Sequence, residues 1–91
     1  MARPRRVVLK EYKLESVDQA HAQLAQELDF PDYYGNNLDA LEDCLGDICE
    51  PTRIVLRRDE DEPKVWFDEL VQVIRHSAQR SCYLGCTVRY S

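Results

Sequence analysis

Ile54-Val55-Leu56 places branched apolar side chains at three consecutive positions, between Arg53 and Arg57. Successive residues of a strand point to opposite faces, so this run has to be shielded on both. That is the signature of a central strand in a parallel sheet. Two other stretches have strand character: residues 5–12, Arg-Arg-Val-Val-Leu-Lys-Glu-Tyr, and residues 86–90, Cys-Thr-Val-Arg-Tyr. With residues 53–57 in the middle, the expected strand order is 1-2-3.

The intervening segments carry helical spacing. Val17, Ala20, Leu24 and Leu28 recur at the helical period, which predicts a helix over 17–28. Ser16 is suited to cap it, with Gln19 closing a capping box. Asp29–Asn37 reads as a loop punctuated by Pro31 and Gly35, with Gly35 free to take a positive φ. Asn37 is a good cap for a second helix over 38–49. Asp59-Glu-Asp-Glu62 and Pro63 form a polar connection, and Phe67, Leu70, Val71, Ile74 and Ala78 mark a third helix over about 64–79, with Trp66 and Val73 widening its stripe. The order β-α-α-β-α-β predicts right-handed crossovers and a three-stranded parallel sheet. So little sheet leaves its helices on one face, a two-layer α/β fold. At 91 residues, the chain reads as one domain, 1–91.

The net charge of −5 is localised. Residues 29–50 hold seven acids (Asp29, Asp32, Asp39, Glu42, Asp43, Asp47, Glu50) and no base. On the second helix, Leu38, Leu41, Cys44, Leu45, Ile48 and Cys49 fall on one side, and Asp39, Glu42, Asp43 and Asp47 on the other. Like charges one turn apart destabilise a helix by a few tenths of a kcal/mol. Such a patch opposes phosphate backbones and favours a basic partner, although many acidic runs only solvate a surface. The sequence holds no phosphate loop, no Gly-rich fingerprint and no basic stripe, so no direct nucleic-acid binding is expected. No apolar run exceeds three residues, against about 20 for a membrane helix. The basic start, Met1 to Arg6, precedes only three apolar residues and does not resemble a signal peptide. The expected location is cytoplasmic, with cysteines as thiols.

The remaining chemistry is sparse. Cys44-x4-Cys49 and Cys82-x3-Cys86 are poor matches to structural zinc spacing, and Cys44 and Cys49 are expected on the packed side of a helix, as small hydrophobes. Cys82–Cys86 or Cys44–Cys82 pairing on oxidation stays open, because sequence does not set connectivity. Asp39 and Asp43 would share one wet environment, whereas acid–base catalysis needs carboxylates in unlike ones. His21 and His76 have no nucleophile beside them in a motif. The reading is a protein without enzymatic activity, metal or cofactor. Of Tyr33 and Tyr34, one ring suits the core beneath the loop and the other a binding surface.

The run Pro31-Asp-Tyr-Tyr-Gly-Asn-Asn-Leu-Asp-Ala-Leu-Glu-Asp-Cys-Leu45 resembles the signature of barstar-type ribonuclease inhibitors, and the order of elements is similar over nearly the whole chain. The resemblance implies a small cytoplasmic protein that plugs the active site of a secreted guanyl-type ribonuclease in a 1:1 complex. By resemblance, Tyr33, Gly35, Asn37, Asp39 and Asp43 face the enzyme. Asp43 would take the place of a substrate phosphate, Asp39 would meet arginines, and Tyr33 would pack over the catalytic histidine region. Glu42 stands where the best-known member has tryptophan, and His76 falls near a position where that member carries an interface acid. The Arg57–Val65 connection is too short for that member's extra helix. The alternative from the patch alone is an acidic adaptor or antitoxin for a basic partner that is not a ribonuclease.

Overall fold

The computed structural model describes residues 5–90, so most of the basic start at Met1–Arg6 lies outside the described residues. Three strands, β1 (Arg5–Lys10), β2 (Thr52–Arg58) and β3 (Leu84–Tyr90), form a parallel sheet in the order β1-β2-β3. The helices are α1 (Val17–Glu27), α2 (Leu38–Gly46) and α3 (Val65–Arg80). The expected order, parallel pairing and central second strand are all present. In register, Val7 lies beside Ile54 and Ile54 beside Cys86, while Leu9 lies beside Leu56 and Leu56 beside Val88. These residues share one face, which the helices cover. Val7, Leu9, Ile54 and Leu56 join Leu24, Leu41, Leu45, Phe67, Leu70 and Ile74 in one buried core. Among the described residues no helix is long and apolar enough to cross a membrane.

Local chemistry sets the boundaries. Ser16 accepts from the Gln19 amide at 3.4 Å, and the Gln19 side chain accepts from the Glu15 amide at 3.0 Å, one residue ahead of the usual capping-box donor. α1 closes through Asp29, whose φ of 59° is left-handed, and the Phe30 amide returns to the Ala25 carbonyl at 2.9 Å. This is the Schellman pattern, and it turns Phe30 back onto the core.

Several expectations need correction, among them that the last strand begins at Leu84 and not at residue 86. The first strand stops at Lys10, and Glu11–Lys13 form a 3-10 turn. The second helix stops at Gly46 instead of reaching residue 49. There Asp47 and Ile48 donate to the Cys44 and Leu45 carbonyls in i→i+3 bonds, and Cys49 is exposed rather than packed. Ala78 is only half-buried, and Ser77 takes the deeper place on α3.

Alternation places Arg6, Val8 and Lys10 of β1, Arg53, Val55 and Arg57 of β2, and Gly85, Thr87 and Arg89 of β3 on the face away from the core. The expectation of no basic stripe therefore fails in three dimensions. Five cations scattered in sequence gather on one sheet face. Val55 is 4% exposed but stands outside the core cluster. Its own strand flanks it with Arg53 and Arg57, whose aliphatic stems can cover an apolar neighbour. The middle strand is thus shielded on its second face by side chains instead of a second helix layer.

Candidate functional site

The site is built from the loop between α1 and α2 and from the polar side of α2. Asn37 has extended backbone and accepts from the Ala40 amide at 2.8 Å, starting the helix where the sequence places it. Its amide nitrogen also donates to the Gly35 carbonyl at 3.2 Å. Just before the helix the left-handed residue is Asn36, with φ 52°, and not Gly35. Asparagine tolerates that conformation better than most residues. Gly35 is needed for space. A Cβ there would lie 2.9 Å from the Asn37 amide nitrogen, so the cap and the glycine fit each other.

The two tyrosines divide as expected. Tyr33 is 87% exposed. Tyr34 is half-buried, with its ring 4.9 Å from Phe30 and 5.6 Å from His21. The Tyr34 hydroxyl meets His21 Nδ1 at 2.5 Å. Burial, with a smaller contribution from Cys44, pushes the Tyr34 hydroxyl up to about 12, so it remains protonated at neutral pH. Burial lowers the His21 pKa against the opposing pull of Asp18. Neutral His21 and the protonated Tyr34 hydroxyl share one hydrogen bond, with the direction set by the imidazole tautomer. A histidine of α1 anchors the loop from below, a role the sequence reading did not give it.

This pair has a pH signature. Unfolded His21 titrates near about 6.5, and folded His21 below that. Between the two values the unfolded chain binds more protons, so stability is full above about 6.5 and falls as the solution is acidified through the window. The denaturant midpoint of the parent is expected to drop as the pH falls below about 6.5, and that slope should flatten in His21→Gln. Equal slopes would mean that His21 is not the group responsible.

Asp39, Glu42 and Asp43 are exposed on α2, and Asp47 is exposed at its C-cap. The ion pairs among the described residues are Arg5–Glu50 at 3.6 Å and Arg58–Asp68 at 3.0 Å. Glu50 is thus partly relieved, while the four acids of the helix face form no ion pair among the described residues. Asp39 gains from the positive end of the helix, and Asp47 sits unfavourably at the negative end. Glu42, Asp43 and Asp47 border a cleft of about 570 Å³ closed on its other side by Ser77, Arg80, Cys82 and Tyr83. His76 is exposed on α3 and is not among the residues lining this cleft.

The four cysteines are free. Burial, then Asp47 and Asp43, raises the Cys44 pKa, which makes it a poor thiolate. Among the described residues no three His, Cys, Asp or Glu side chains are grouped to hold a metal.

A family model described as "Barstar (barnase inhibitor)" matches residues 5–82, which include all three helices and the first two strands. A protein of Bacillus subtilis (strain 168) named "Putative ribonuclease inhibitor YrdF" is 35% identical over 79 residues, covering 82% of this chain and 87% of that protein.

Proposed function

The chain belongs to the barstar family, and on that premise we propose that it is a ribonuclease inhibitor, not an enzyme, acting as one domain in the cytoplasm on a guanyl-type microbial ribonuclease. The observation that carries this reading is the acidic face of α2, Asp39, Glu42 and Asp43, exposed and without ion pairs among the described residues, and preceded by a loop that exposes the ring of Tyr33. An enzyme that cleaves RNA needs a cationic cleft for phosphates. Carboxylates one helical turn apart, about 5–6 Å, present anionic charge to such a cleft. Arginine–carboxylate bonds are charge-assisted and often bidentate.

Asp43 enters the substrate-phosphate position in this reading, Asp39 meets enzyme arginines, and Tyr33 packs over the catalytic region. Gly35 and Asn37 act by shaping the loop and by starting the helix. His76 is the outlying member of the set. The repulsion stored in α2 is relieved when the enzyme's cations arrive, in a 1:1 complex. The adaptor reading uses the same acids but requires no ribonuclease.

The test is titration of the protein into RNA cleavage assays with a guanyl-type ribonuclease and with unrelated basic nucleases. Stoichiometric inhibition of the first alone is the expected result. Association should slow steeply with added salt, because the field shortens to about 8 Å at 0.15 M, while dissociation changes little. Glu42→Lys should slow association and flatten the salt slope, as read by stopped-flow. An association rate indifferent to salt would mean that α2 faces solvent in the complex.

A further inference from the structure

The face of the sheet away from the helices has no partner in the described structure. Its nine strand residues include Arg6, Lys10, Arg53, Arg57 and Arg89 and no acid. None of these cations belongs to either ion pair among the described residues. Arg53 instead crosses to β3 and donates to the Thr87 hydroxyl at 2.9 Å, lying over Gly85. The Nε of Arg57 is buried without an acceptor. Strands stand about 4.8 Å apart, and residues on one face of a strand recur about every 7 Å. The cations therefore stand in two rows, Arg6–Arg53 and Lys10–Arg57–Arg89, about 14 Å apart across the neutral row Val8–Val55–Thr87, a separation near that of about 12 Å between Asp39 and Asp47 along α2.

We propose that this face is a self-association surface that takes the acidic side of α2 from a second copy of the chain. Charge complementarity supplies the argument. Asp39, Glu42, Asp43 and Asp47 are the exposed anions of a helix without a base, and they lie on the helix layer, opposite the cationic sheet face. One copy therefore carries both halves of the contact on opposite sides and cannot satisfy them itself. Single-stranded RNA is the competing anionic occupant. Sites of that kind add aromatic platforms for base stacking, whereas the neutral residues here are Val8, Val55, Gly85 and Thr87. The overall charge of −5 also repels RNA at long range. The same net charge opposes self-association, so the assembly is weak and reversible. Because the joined surfaces differ, the contact is heterologous and extends into rings or chains instead of closing as a two-fold dimer.

The experiment is sedimentation of the purified protein over a concentration series at about 0.01 M and about 1 M salt, where the screening lengths are about 30 Å and about 3 Å. No ribonuclease is present, so the outcome is separate from the inhibitory reading. Species beyond the dimer are expected at low salt and their loss at high salt. Arg53→Gln/Arg89→Gln and Glu42→Gln/Asp43→Asn change exposed residues, and each pair should weaken assembly about tenfold or more. Mixed together, the two variants should form a dimer that grows no further, because one retains the acidic side and the other the basic face. Far-UV circular dichroism confirms that each variant is folded. A parent that stays monomeric at both salts overturns the proposal, as does assembly that ignores both pairs. So does a mixture no larger than its components. Binding of oligouridylate that the arginine pair abolishes, without self-association, would assign the face to nucleic acid instead.

Discussion

Asp43→Ala is expected to weaken ribonuclease inhibition more than any other single substitution on α2, by about 3 kcal/mol or more, and to leave the fold at least as stable as the parent. In the free protein Asp43 is exposed, unpaired, and one turn from Asp39 on one side and Asp47 on the other. Removing it relieves repulsion worth a few tenths of a kcal/mol. In the proposed complex its loss leaves the enzyme's cations buried and without a counter-charge. Asp39→Ala and Glu42→Ala are the comparisons, since they remove the same charge from the same helix. Inhibition and the denaturant midpoint should be measured on all three. A loss of stability of about 2 kcal/mol or more in Asp43→Ala would make the residue structural and refute its assignment.

The opposite pattern is expected at Glu11. Its side chain is fully buried in the turn after β1. One carboxylate oxygen accepts from the Asp59 amide at 2.7 Å and the other from the Lys64 amide at 2.5 Å, while the Lys64 ammonium reaches the Glu11 carbonyl at 3.1 Å. Lys64 is the N-cap residue of α3, and its own side chain supplies no cap. A carboxylate near a helix N-terminus is favoured by the helix dipole. Glu11→Ala removes the acceptor of two amides at once, at a cost of about 2–4 kcal/mol. Glu11→Gln keeps one acceptor but turns an N–H toward a donor, and should fall between the two. Unfolding curves give the stability loss, and hydrogen exchange should rise first at Asp59 and Lys64. Inhibition per folded molecule should not change, since these bonds anchor the β2–α3 connection and not α2. A stable Glu11→Ala would mean that water replaces the carboxylate without penalty.

Features decided by neighbouring residues are legible in the sequence. Ser16 and Asn37 cap the helices they precede, and Ile54-Val55-Leu56 demands a central strand whatever lies around it. The family-like run from Pro31 to Leu45 marks the loop and helix of the candidate site, and the geometry brings Tyr33, Asn37, Asp39, Glu42 and Asp43 together there. The end of α2 is harder to read, because Ile48 and Cys49 continue the apolar pattern past the helix. Gly46 is the available signal, since glycine weakens a helix interior. The cationic sheet face is invisible along the chain, where each strand contributes one or two bases to a balanced segment. It emerges only when alternate residues of all three strands are read in parallel register. Glu11 leaves no signal at all, as its partners are backbone amides beyond β2. His21 is similar, because a tyrosine from the following loop gives it its role.

The strand order also governs when the molecule can come into being. β2 pairs with both of its neighbours, and β1 and β3 do not pair with each other. As the chain leaves the ribosome, β1, α1 and α2 emerge with no ladder available to any of them until Thr52–Arg58 follows. The surface that would meet the nuclease is therefore made early but propped up late. Closing such distant pairings is slow compared with winding a helix. Any cell that relies on this protein against its own enzyme has to finish the second half of the chain before the first half is of use.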